Sequence, residues 1–130
     1  MCVAAAVLRA AATHKRVLVD FGGNWCPDCR ALDLYFHDAA NLKALEAGFV
    51  LVHVNIGHMD ENLDIAKQYE IPLEKGVPAL AVLTEKGGLL YSQRNGQFES
   101  MRSMNSNAVT SFLVQWKPLK PGCSAVMVTC

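Results

Sequence analysis

The stretch VLVDFGGNWCPDCRAL, Val17 to Leu32, decides how the rest of the chain is read. It begins as a β-branched, apolar run with one acid, Asp20, inside it, which reads as a strand buried on both faces. Gly22 and Gly23 end that strand. Cys26 and Cys29 follow, with Pro27 and Asp28 between them. Proline suits a first helical position and a carboxylate suits the positive end of a helix dipole, so a helix starts here. Cys26 falls at its N-cap, and Leu32, Tyr35 and Phe36 form its inner face. Three chemistries place cysteines at this spacing: a redox-active dithiol, half of a zinc site, or two buried thiols with no reaction to perform.

The flanking elements narrow the choice. Upstream, Val3, Ala6, Val7 and Ala10 repeat at i, i+3, i+4, i+7 and predict an amphipathic helix. The basic residues of this segment follow its apolar part, the reverse of a signal peptide, so no export leader is expected in the chain as given. Downstream, Asp38 restarts a helix with Ala39, Leu42 and Leu45 inward and Gly48 as its stop. FVLVHVNI (Phe49 to Ile56) is a second apolar run and is expected to be another central strand. Asp60 is expected to cap a helix with Leu63, Ala66 and Tyr69 on one face. ALAVL and LLYS, either side of TEKGG, predict an antiparallel hairpin. Asn107 is expected to open a last helix carrying Val109, Phe112, Leu113 and Trp116.

The order is therefore α, βαβα, ββα: an α/β domain with a central mixed sheet and helices on both faces. One domain is expected over residues 1–130, with 118–130 a tail that sequence does not place.

Thiol–disulfide exchange needs a sulfur that is readily a thiolate and a second sulfur to resolve the mixed disulfide. A helix start supplies free N–H groups and a dipole to Cys26, and Cys29 lies one turn on, expected to be the deeper of the two. A closed zinc site needs four ligands. The chain has no second Cys-x-x-Cys, and His14, His37, His53 and His58 are scattered, so no metal is expected. Structural cysteines without chemistry rarely sit at a helix start.

With its preceding strand, the WCPDC motif and this element order, the chain resembles the thioredoxin family over Val3 to Trp116. The resemblance implies a thioredoxin fold and a thiol–disulfide oxidoreductase of the disulfide reductase or isomerase type, most similar to bacterial thioredoxin-like and disulfide-isomerase-like proteins. It implies that Cys26 is the nucleophile, Cys29 the resolving thiol and Asp20 a buried proton acceptor. Trp25 beside the dithiol, and Val77 with a cis-Pro78 in GVPAL, would hold substrate. Pro27, Asp28 and His53 would tune the motif, His53 standing where many relatives carry a lysine. No cofactor is implied; the partners are protein or peptide disulfides and a thiol reductase. The resemblance leans toward the bacterial periplasm. A redox-switched peptide-binding or holdase module without turnover is the competing function.

Composition sets limits. The 130 residues are 52% hydrophobic and 18% charged, suited to a packed domain rather than a disordered chain. Twelve basic residues balance twelve acidic ones, which argues against a nucleic-acid surface. No apolar run is long enough to span a membrane, and a monomer is expected. Cys2, Cys123 and Cys130 leave an odd total and no disulfide framework. Phe98, Met101 and Met104 recur at helix-like spacing, read as a stripe packed on the core, with an adaptable lip beside the groove as the alternative.

Overall fold

Five consecutive buried residues, Val17 to Phe21, make β1 (Arg16–Gly22) the spine of the sheet. The computed structural model describes residues 3–93, 98 and 101–118. Ahead of β1 lies α1 (Val3–Thr13); after it come α2 (Pro27–Phe36), α3 (Ala39–Gly48), β2 (Phe49–Asn55), α4 (Leu63–Gln68), β3 (Ala79–Leu83), β4 (Leu89–Ser92) and α5 (Ser106–Trp116). The strand order is β2-β1-β3-β4. β1 runs parallel to β2, with Asp20 opposite His53, and antiparallel to β3, with Asp20 opposite Leu80. The β3–β4 pair is the antiparallel hairpin.

Alternation along β1 divides the core. Val17, Val19 and Phe21 join Ala6 and Ala10 of α1 and Ala66 of α4 on one face. On the other, Leu18 joins Leu32 and Phe36 of α2, Leu45 of α3, and Val109, Phe112 and Leu113 of α5. Each fully buried leucine or phenylalanine contributes about 1.5–3 kcal/mol of transfer free energy, which fixes the register of β1 and so the side on which Asp20 emerges.

Five local expectations are corrected. β2 is an edge strand among the described residues, not a central one. Val50, Val52 and Val54 pack inward, while His53 and Asn55 are exposed beyond the cover of the helices. In α3, Ala39 is exposed and Leu42 half-buried; the buried polar residue is Asn41, which reading by hydrophobicity missed. Its amide donates to Tyr35 O at 3.0 Å and to Ser106 Oγ at 2.8 Å, tying α3 to α5. Gly48 is the last residue of α3 rather than a stop beyond it. A Cβ there would meet Pro118 Cδ at 2.9 Å. The cap of α4 is Asn62, because Asp60 Oδ1 instead accepts the His58 N–H within the preceding turn. The cap of α5 is Asn105, whose Oδ1 accepts from Ala108 N at 3.3 Å, leaving Asn107 inside the first turn.

Phe98 and Met101 are buried in the α2–α5 face and Met104 packs against it, in line with the core reading of that stripe. The tail beyond Pro118, with Cys123 and Cys130, and Cys2 lie outside the described residues.

Candidate active site

Gly22 closes β1 and Gly23 follows it, and Cys26 enters α2 as its N-cap in extended conformation. Cys29 N–H donates to Cys26 Sγ at 3.1 Å, so the sulfur occupies the place of a capping side-chain oxygen. Any anion formed on it faces the positive end of the helix. The Cys26 thiol in turn donates to Val77 O at 3.7 Å. The Val77–Pro78 peptide bond is cis, immediately ahead of β3. Pro78 O accepts from the fully buried Gln93 at 3.1 Å, a second buried polar residue that the sequence did not single out.

The order of exposure is the reverse of the expected one. Cys26 is buried, 3% exposed, whereas Cys29 is only half-buried. Cys26 sits under the Val77 carbonyl, while Cys29 borders an open cavity. Burial, and after it the bond with Cys26, pushes the Cys29 thiol far up from its ordinary pKa. Gly22 is required beneath it, since a Cβ there would stand 2.9 Å from Cys29 Sγ.

The cavity, about 480 Å³, is lined by Cys29, Asp20, His53, Asp33, Asn55 and Asn24 among others. Asp20 is 5% exposed, its Oδ2 lies 3.2 Å from His53 Nδ1, and its Oδ1 has no hydrogen-bond partner among the described residues. Desolvation raises the Asp20 pKa against the opposing pull of His53. The bond to Asp20 raises that of His53. His53 Nε2 lies 3.7 Å from Asp33 Oδ1. Asp33 was not among the expected site residues, although its position one turn after Cys29, i to i+4, was a signal for it. Asp20, Asp33 and His53 hold donor atoms within 4.8 Å of one another, the one grouping among the described residues that could hold a cation. Asp20 and His53 already satisfy each other there.

Trp25 is 42% exposed beside the motif; its indole N–H donates to Gly57 O and its ring stacks on His58 at 5.9 Å. Pro27 is the first residue of α2, and Asp28 stands in its first turn. The structure sets Cys26 against Val77 beside the cis-Pro78, lines one cavity with Cys29, Asp20 and His53 on the flank toward β2, and holds Trp25 against Gly57 and His58 just beyond β2.

A family model described as thioredoxin-like matches residues 2–84, from α1 through the dithiol and cis-proline to β3. The chain belongs to the thioredoxin-like family. A disulphide isomerase from Xylella fastidiosa Temecula1 superposes with a TM-score of 0.83 at 32% identity, covering 87% of this chain and 86% of that one. A protein disulfide-isomerase of Gallus gallus is 28% identical over 95% of the chain but 22% of its own length. A thioredoxin of Buchnera aphidicola is 37% identical over 52% of the chain and 55% of its own. The chain thus spans less than two thirds of the length of these curated relatives. Among the described residues no helix is long and apolar enough to cross a membrane.

Proposed function

We propose that this thioredoxin-like chain is a thiol–disulfide oxidoreductase that reduces or rearranges disulfides in proteins or peptides. The observation that carries the reading is the Cys26 sulfur at the start of α2, bonded by the Cys29 N–H at 3.1 Å and set against the Val77 carbonyl. The helix start offers that sulfur an N–H partner, and a substrate chain aligned on the Val77 backbone would present its disulfide to it.

Cys26 attacks one substrate sulfur, forming a mixed disulfide and expelling the other substrate thiolate. Cys29 then attacks Cys26 Sγ, releasing the second substrate thiol and closing the Cys26–Cys29 disulfide. Its raised pKa means Cys29 has to pass on a proton in that step, and Asp20, whose own proton affinity is raised by burial, is the acceptor on the same cavity wall. His53 carries the proton onward to solvent. Asp28 in the first turn opposes the thiolate and moves the couple toward reducing potentials. A thiol reductase or small-thiol pool returns the electrons. The 32% identity to a disulphide isomerase across most of both chains supports isomerase-type exchange as part of the activity.

Turnover tests the reading. The chain should accelerate reduction of insulin disulfides by dithiothreitol, and Cys26→Ser should not. A protein that binds unfolded peptide but leaves insulin reduction at the buffer rate would be a redox-switched binding module instead.

A further inference from the structure

We propose that Gln93 is a positioning residue for polypeptide substrates: its side-chain amide fixes the backbone edge at Val77 on which a disulfide-bearing chain aligns. This rests on the oxidoreductase reading and names a residue that makes the site prefer polypeptide disulfides over small ones.

Gln93 directly follows β4 and is fully buried. Two of its N–H groups hold two carbonyls of the neighbouring chain. The backbone N–H donates to Leu80 O at 3.0 Å, and the side-chain Nε2 donates to Pro78 O at 3.1 Å. The first is a rung of the antiparallel ladder between β3 and β4. The side-chain amide supplies a further rung, two residues closer to Val77.

That further rung controls the direction of the Val77 carbonyl. The Pro78 ring locks φ, so ψ of Pro78 is the torsion left between the Val77–Pro78 peptide and the sheet. A hydrogen bond on Pro78 O restrains that torsion. Val77 O in turn accepts from the Cys26 thiol at 3.7 Å, so the restrained edge stands at the attacking sulfur. A substrate chain pairing with this backbone gains its hydrogen bonds only while the edge keeps its direction.

Packing does not account for an amide at this place. Gln93 Oε1 is buried with no hydrogen-bond partner among the described residues, a cost that an apolar side chain of similar length avoids. What the amide adds is the bond to Pro78 O. Gln93→Met removes the orphaned Oε1 and leaves Pro78 O without this donor instead. One unpaired acceptor replaces another, so stability should change little while the edge is set free.

Substrate chemistry separates this role from a structural one. A polypeptide disulfide uses both Cys26 and the Val77 edge. Dithiodipyridine, a small aromatic disulfide with no backbone to align, uses Cys26 alone.

The test compares the prereduced full chain with Gln93→Met, its fold checked by circular dichroism and thermal unfolding, on both substrates. On insulin, with dithiothreitol as reductant, kcat/KM should fall about five- to tenfold, the worth of one aligned hydrogen bond. The loss should appear in KM, with kcat little changed, as removal of uniform binding requires. On dithiodipyridine the second-order rate should fall by less than about twofold, because the sulfur itself is untouched. Gln93→Leu should repeat the pattern, and it decides the matter if the methionine variant does not fold. Unchanged insulin kinetics in a folded variant overturn the inference. So does an equal loss on both substrates, which would place the damage at the start of α2. A wild type that reduces neither substrate removes the oxidoreductase reading itself; a wild type active on both, with a variant that matches it, removes only the role of Gln93.

Discussion

Asp20→Asn should stabilise the protein, and increasingly so as pH rises. The Asp20 side chain is buried, one of its oxygens has no partner among the described residues, and the other is 3.2 Å from His53. Burial raises the Asp20 pKa and outweighs the lowering by His53. The folded carboxyl therefore keeps its proton to higher pH than the unfolded one, which ionises near ~3.9. Between those two values the native state binds more protons than the unfolded state, so stability falls as pH rises through the window. His53 adds to the slope: its raised pKa comes first from its bond to Asp20, so that contribution is present in acid and lost as the imidazole deprotonates. Asparagine removes both dependences.

Leaving a buried polar group unpaired costs about 1–3 kcal/mol, and more when it is charged, so a gain of roughly 2 kcal/mol is expected at alkaline pH. For 130 residues, at ~2.1 cal/mol/K per residue of unfolding entropy, that is a rise in Tm of about 7 °C. Urea denaturation of the reduced protein at pH 5, 7 and 9 measures it. The two proteins should be close at pH 5 and the variant clearly ahead at pH 9. A wild type that is the more stable at pH 9, or a difference that does not change with pH, refutes the electrostatic reasoning. The same variant should resolve mixed disulfides more slowly, since the proton acceptor is gone.

Three further changes probe the rest of the site and its support. Asp28→Asn removes an acid opposing the Cys26 thiolate in the first turn of α2. At about 0.3–1 kcal/mol for a charge near a helix end, the potential should become more positive by roughly 5–20 mV in glutathione equilibration, and a more negative value contradicts the sign. Gly22→Ala places a Cβ 2.9 Å from Cys29 Sγ. The sulfur has to move, and stopped-flow resolution of a Cys26 mixed disulfide should slow by roughly ten- to a hundredfold, while the rate of its formation changes little. Met101→Ser, at a fully buried position of the α2–α5 core, should lower stability by roughly 3 kcal/mol with the insulin activity of the folded protein intact. Weaker substrate binding at unchanged stability would revive the groove-lip reading of that methionine.

Elements with strong local signals were legible in the chain. The apolar run of β1, the Pro27–Asp28 helix start and the hairpin around TEKGG each combine periodicity with punctuation, and all three are where they were expected. The dithiol stood out by its own spacing at a helix start, and Asp20 and His53 entered only through the family resemblance that the motif carries. What failed depended on competition between neighbours. Asp60 looked like a cap until the turn at His58 claimed its carboxylate. Asn41 carries no apolar signal, yet it is buried, and Ser106 and Thr110 of α5 supply its partners across the helix pair. β2 reads as central because its valines are as apolar as those of β1. Its edge position follows from which strand β3 chose to pair with, a long-range outcome no local pattern contains. The exposure order of the cysteines likewise depends on the Val77 carbonyl, 51 residues away, lying over Cys26.

The central claim is that Cys26 attacks and Cys29 resolves, and trapping tests it most directly. Reduced Cys29→Ser, mixed with insulin and quenched in acid, should accumulate a mixed disulfide through Cys26, identified by mass spectrometry of the digested adduct. Cys26→Ser should accumulate none on Cys29 over the same time. Adduct forming on Cys29 in the Cys26→Ser protein, with none on Cys26 in its counterpart, would contradict the assignment of roles.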